Sequence, residues 1–150
     1  MSNADVVRAY YAALATGDFE AARTLTDPEI DFNIAPGFPA GGRYHGHVDL
    51  FEGFYPASFE AWSHIEVEVD EFLEFGDTVI SLGRYVGTTR ASNTEFSSPF
   101  AHVNRVRDGR LAAVHQYVDT LVLDRAIEGR PLALDENRRW VTRVTEPSAS

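Results

Sequence analysis

Residues 64–118 limit the fold more than any other stretch. "HIEVEVDEFLEF" (64–75) sets Ile65, Val67 and Val69 against Glu66, Glu68 and Asp70 in strict alternation. A period of two marks a half-buried strand and excludes an amphipathic helix. Gly76-Asp77 supplies a turn, and "TVISLGRYVGTT" is the next strand. The loop "RASNTE" leads to "FSSPFAHVNRV", and "RDG" turns that strand into "RLAAVHQYV". Strands joined by short turns pair antiparallel, so this stretch predicts a long meander.

Helices come first. "SNAD" places Ser2 three residues before Asp5, a capping pattern. Val6, Val7, Tyr10, Ala13 and Leu14 recur at helical spacing, which predicts a helix over about 3–15. Gly17 ends it, Asp18 caps a second helix, "FEAARTL", and Asp27-Pro28 stops that one. "IDFNI" (30–34) alternates as a short strand, with Asp31 and Asn33 opposite Ile30, Phe32 and Ile34. "APGFPAGGRYHGH" reads as an irregular loop. Phe51, Phe54, Tyr55, Phe59 and Trp62 form an aromatic stripe on a helix over 47–62, which Pro56 is expected to break or kink at about Tyr55. "LVLDRAI" is a closing helix before Gly129 and Pro131, and Asp119 competes with Thr120 to cap it. Helices segregated onto one face of an antiparallel sheet make an α+β domain, over 1–130, with 131–150 a tail or an arm on a partner subunit. A bent sheet around helices leaves a concave pocket suited to a small molecule.

Composition narrows the partners. A net charge of -10 argues against nucleic acid and anionic membranes. The absence of cysteine excludes disulfides and a thiolate nucleophile or metal ligand. The N-terminus lacks a signal-peptide pattern and no apolar run spans a bilayer, so the expected setting is cytoplasmic. "HGH" (45–47) has the look of a metal pair, but spacing sets no third ligand, and no metal or other cofactor is expected. Neither a phosphate loop nor a serine nucleophile elbow is present.

Three strings carry a resemblance: "VVRAYYAALATGDFEAARTL", "FGDTVISLGRYVGT" and "PFAHVNRVRDGRLAAVHQYVDT". They resemble the SnoaL-like branch of the nuclear transport factor 2-like superfamily, over about residues 4–128. The resemblance implies a cone-shaped fold, a strongly curved antiparallel sheet with a deep apolar pocket, and a homodimer. It implies a cofactor-independent acid–base enzyme acting on a hydrophobic small molecule, of the polyketide cyclisation or isomerisation type. The same fold also hosts epoxide hydrolases and non-catalytic binding modules.

Residue by residue, Tyr10 matches an oxyanion-hole tyrosine of ketosteroid isomerase. Asn33 stands where that enzyme has its carboxylate base, and where limonene epoxide hydrolase has a water-holding asparagine. Tyr85 falls near that hydrolase's central-strand aspartate. His102 falls near the isomerase's second oxyanion donor and near a pocket histidine of the cyclases. Gln116 replaces an aspartate of both the hydrolase and the cyclases. No single mechanism carries over intact.

Strand alternation groups Phe100, His102 and Asn104, and separately Val114, Gln116 and Val118. Alternation alone does not choose the inner face; the resemblance places His102 and Gln116 inside. On this reading His102 is the acid or base, with Tyr10 and Tyr85 as donors to a developing oxyanion. Asn33 and Gln116 orient substrate or water. Phe51, Phe54, Tyr55, Phe100, Val114 and Val118 line the substrate site. Asp31 is either a buried base or solvated, and Asp119 a cap or a pocket residue.

Overall fold

The computed structural model describes residues 1–132; the tail expected over 131–150 lies outside them apart from its first two residues. Among the described residues no helix is long and apolar enough to cross a membrane.

Helix α1 (Asn3–Ala15) starts where the capping pattern places it. Ser2 Oγ accepts the Asp5 N–H and the Asp5 carboxylate accepts the Ser2 N–H, both at 3.1 Å. Gly17 takes φ 70°, a conformation open to glycine, and turns the chain into α2 (Phe19–Thr24). There Asp18 accepts the Ala21 N–H at 3.0 Å.

Strand β1 (Thr26–Ile34) begins four residues earlier than its alternation predicts. Pro28 falls in the irregular stretch of its pairing between Thr26 and Asp31, where the ladder needs no N–H. The expected loop after it contains an edge strand, β2 (Gly42–His45), paired antiparallel from Asp31↔His45 to Ile34↔Gly42. Four residues between glycines carry too little alternation to be read locally.

Pro56 does not break the aromatic helix; the winding changes before it. Val48–Phe54 is π-helical, and Tyr55 donates its N–H five residues back to the Leu50 carbonyl. The wider turn removes the clash a proline ring makes with the carbonyl four residues back, and Pro56 sits in the first turn of α3 (Tyr55–Phe59), where no N–H is needed. Trp62 opens a strand instead of ending this helix.

Strands β3 (Trp62–Phe75), β4 (Thr78–Thr89), β5 (Glu95–Arg107) and β6 (Arg110–Val118) form the predicted meander. The sheet order is β2-β1-β6-β5-β4-β3. One neighbour pair departs from the wholly antiparallel expectation: β1 runs parallel to β6. These strands are far apart in the chain, so no local turn dictates their direction. The Leu111 N–H, donating to Leu25 O at 2.8 Å, ties β6 to the end of α2.

The sheet curls without closing, and α1 lies against β3, β4, β5 and β6 on its inner side. Register shifts in β3 (Trp62/His64 and Val69/Glu71) and in β5 (Arg105/Val106) bend the strands. Gly83 and Gly87 let β3 coil close over β4. A Cβ there would lie 2.1 Å from the Glu68 carbonyl oxygen and 2.2 Å from that of His64.

Helix α4 (Thr120–Ile127) closes the described chain, and Asp119 is its cap, accepting the Val122 N–H at 3.3 Å. Asp119→Ala is expected to lower the unfolding free energy by about 1 kcal/mol, read from urea denaturation. An unchanged midpoint would rule out the cap as a stabilising contact.

Candidate functional site

The inner face of the sheet and the helices enclose a cavity of about 340 Å³. Its apolar wall comes from Leu14 of α1, Phe32 and Ile34 of β1, Phe38 of the following loop, Phe54 and Phe59 of the third helical segment, and Ile65 and Val67 of β3. Its polar residues are Tyr10, Tyr11, Tyr55, Tyr85, His102, Asn104 and Gln116. Strand pairing sets Ser81 of β4, His102 of β5 and Gln116 of β6 in one row: Ser81 faces His102, and His102 faces Gln116.

These groups form one hydrogen-bonded chain. Tyr11 Oη lies 2.6 Å from His102 Nδ1, and Tyr85 Oη lies 2.7 Å from His102 Nε2. Tyr11 donates to Ser81 Oγ at 3.0 Å. The Gln116 amide is oriented by the Ala35 N–H, which donates to its oxygen at 3.2 Å, so its nitrogen donates to Tyr85 Oη at 2.8 Å. The Asn104 amide is oriented by the Val79 carbonyl at 2.9 Å and donates to Ser81 Oγ at 2.9 Å. The Phe100 ring stacks on His102, 4.0 Å between centroids. Apart from this chain, the Tyr10 and Tyr55 hydroxyls bond to each other.

Burial dominates the electrostatics. It holds the His102 imidazole at about 3, so the ring is neutral near pH 7. Burial likewise pushes Tyr10, Tyr11, Tyr55 and Tyr85 above the usual phenol range, so each stays a protonated donor. Among the described residues no carboxylate is buried in the wall; the remaining ionisable lining residues among them are His64 and Glu66, both exposed, on edge strand β3.

The structure brings Tyr10, Tyr85, His102, Gln116, Phe54, Tyr55 and Val114 to the cavity. Phe51 and Phe100 are buried beside it, and Val118 is half-buried against the same core. Asn33 and Asp31 are not brought there. They occupy the opposite face of β1, in a separate surface depression with Arg43, His45 and His115. The placement of these two in the substrate site is therefore corrected: Phe32 and Ile34 take the inner face, and alternation turns their neighbours outward. Asn33 is tied to Val114 O and to Arg43 Nε, at 3.2 and 3.1 Å. Asp31 and Glu29 each lie 2.9 Å from a nitrogen of exposed His45, and these contacts raise that imidazole above its ordinary value. His47 turns instead to Thr26, 2.9 Å away.

Sequence reading passed over Tyr11, Ser81 and Asn104 as functional groups. Tyr11 stands four residues after Val7 and three before Leu14, a spacing that places it on the same helix face. Ser81 alternates with Val79 along β4, and Asn104 with His102 along β5, which placed both on the inner face.

The family model of the SnoaL-like domain matches residues 7–114. A search of curated proteins gives no match. The crystal structure of an NTF2-like protein from Burkholderia thailandensis is 31% identical, with a TM-score of 0.78, covering 85% of this chain and 98% of that one. TerC, co-crystallised with polyporic acid, is 25% identical with a TM-score of 0.77, covering 84% of this chain and 98% of TerC. A SnoaL-like polyketide cyclase from a Jannaschia species is 18% identical with a TM-score of 0.73, over 87% of this chain and 93% of that one, a likeness of fold. The match over most of the chain, with the curled sheet and enclosed cavity beneath it, shows that this chain belongs to the SnoaL-like family of NTF2-like proteins.

Proposed function

We propose that the cavity binds a hydrophobic small molecule bearing a carbonyl or enol oxygen, and acts on it by cofactor-independent acid–base chemistry of the isomerisation or cyclisation type. The observation that carries this reading is the Tyr11–His102–Tyr85 chain set against a wall of apolar and aromatic side chains. A hydroxyl held there acts on a ligand oxygen without competition from water, which makes its hydrogen bond count for more. The apolar and aromatic wall suits the body of such a ligand. The co-crystallisation of TerC with polyporic acid supports a cyclic, oxygen-bearing ligand class.

The roles shift from those the resemblance implied. Tyr85 is the group that touches the ligand oxygen. With both nitrogens against tyrosines and a value of about 3, His102 acts through Tyr85 instead of titrating as a free base. Tyr10 and Tyr55 share two hydroxyl protons across one contact, which leaves one donor for the ligand. Glu66, exposed on β3 and the carboxylate among the described lining residues, accepts the proton that leaves carbon.

Deuterium exchange into carbonyl compounds that bind tests the enzyme reading. Exchange next to the carbonyl, faster than in buffer and lost in His102→Ala, is expected. Binding without such exchange would support a second reading, a non-catalytic binding module, which the lack of a buried carboxylate among the described lining residues favours. The hydrolase reading loses its water-holding group, since Asn33 is engaged on the outer face.

A second copy of this chain is the proposed protein partner. Ile80, Leu82, Val86 and Val103 alternate with the inward residues of β4 and β5 and remain half-buried, and Tyr117 beside them is 61% exposed. Sedimentation equilibrium reads the mass; a monomer at all concentrations would reject the dimer.

A further inference from the structure

The hydrogen-bonded chain through His102 holds one more proton than it has gaps. Ser81, Tyr11, neutral His102 and Tyr85 bring four protons on oxygen or nitrogen to three contacts. Both ends are clamped by amide donors that cannot reverse. Asn104 is turned by the Val79 carbonyl to donate to Ser81, and Gln116 by the Ala35 N–H to donate to Tyr85. The chain therefore has two arrangements, and the surplus proton emerges at one end or the other.

In the arrangement seen, Tyr11 donates to Ser81. Its oxygen must then accept from His102 Nδ1–H, leaving Nε2 bare to accept from Tyr85. Tyr85 has spent its proton and keeps one lone pair for the cavity, so it accepts from a ligand hydroxyl. In the reverse arrangement Ser81 donates to Tyr11, Tyr11 to Nδ1, and Nε2–H to Tyr85. The Tyr85 proton is then free for a ligand carbonyl. Between the two, Nδ1 gives its proton to a solvent water in the cavity, Nε2 takes one from solvent in exchange, and the hydroxyls rotate. The chain gains and loses no proton overall.

We propose that Ser81, Tyr11 and His102 are positioning residues that switch Tyr85 between acceptor and donor, so that one site recognises both the enol and the keto form of its ligand. This rests on the reading of the cavity as a site for a carbonyl or enol compound. It goes beyond that reading by assigning roles to Tyr11 and Ser81 and a reversible polarity to Tyr85. Neutrality of the ring, which burial enforces, is what makes the two arrangements exclusive, because a protonated imidazole would donate at both nitrogens.

Two probes of nearly the same shape separate the arrangements: 1-naphthol, which presents O–H, and 1-tetralone, which presents only a carbonyl. Nitrogen NMR of the full chain labelled at histidine reports which ring nitrogen of His102 carries hydrogen. The expected result is Nδ1–H in the free protein and with 1-naphthol, and Nε2–H with 1-tetralone. Tyr11→Phe removes the acceptor at Nδ1, so this variant should hold Nε2–H without ligand. It should shift the affinity ratio toward 1-tetralone by about three- to tenfold, the value of one neutral hydrogen bond. Should both probes bind with the same His102 tautomer, the switch is overturned while the cavity reading stands. Failure of both to bind would overturn the two together.

Discussion

Tyr85→Phe is expected to reduce turnover about 10²–10³-fold, the usual loss when one preorganised donor to a reacting oxygen is removed. The loss should fall on kcat more than on KM, because the contact strengthens as charge develops on the ligand oxygen. The ring itself is retained, so its packing against Phe38 and Phe100, at centroid distances of 5.4 and 4.7 Å, survives. The substitution does strand the Gln116 amide hydrogen and His102 Nε2, at a cost of about 1–3 kcal/mol in stability. Circular dichroism and urea unfolding separate that cost from the catalytic loss. Turnover in Tyr85→Phe within about threefold of wild type would remove Tyr85 from the reacting centre.

Acid should destabilise the fold through His102. The buried ring titrates at about 3, whereas a histidine in an unfolded chain titrates near 6.5. Between those values the unfolded state binds a proton that the folded ring refuses, so unfolding takes up a proton. Stability from this group is complete above about 6.5 and falls as pH drops, by up to about 1.4 kcal/mol per pH unit. Urea unfolding across that window measures the slope. Carboxylates also contribute to it, so the comparison is with His102→Gln, which keeps hydrogen-bonding atoms at the site and cannot titrate. The variant should show a shallower slope by up to one proton. Equal slopes would mean that the buried ring is already protonated or that the unfolded state protects it.

The two expectations share a cause. Burial beside Phe100 and between two tyrosines keeps the ring uncharged, and that lets its one N–H set the direction of the chain. It also withdraws His102 from ordinary base catalysis. The resemblance placed His102 on the inner face, where it is buried, but the titration of that histidine depends on what surrounds it.

Much of the architecture was legible locally. The alternation in 64–75, the turn at Gly76, the capping pattern at Ser2 and the cap at Asp119 are short-range signals. Each appears in the structure because neighbours in the chain satisfy it. The grouping on β5 and β6 was also legible, since period two ties Phe100 and Asn104 to His102 and Val114 to Gln116, although it left open which face is inward. The same rule had already separated Asp31 and Asn33 from Phe32 and Ile34. Carrying over a relative's position placed Asn33 in the pocket against that alternation.

Sequence alone therefore determined the order of the helices and of the meander strands, which residues share a strand face, and the aromatic supply of the cavity, because those depend on spacing within a few residues. Tertiary structure decided the rest. The parallel seating of β1 on β6, the π-wound approach to Pro56 and the meeting of Tyr11, Ser81, His102 and Tyr85 join residues far apart in the chain or depend on packing around them. No local pattern records which donor faces which acceptor across a curled sheet, and that pairing gives the site its chemistry.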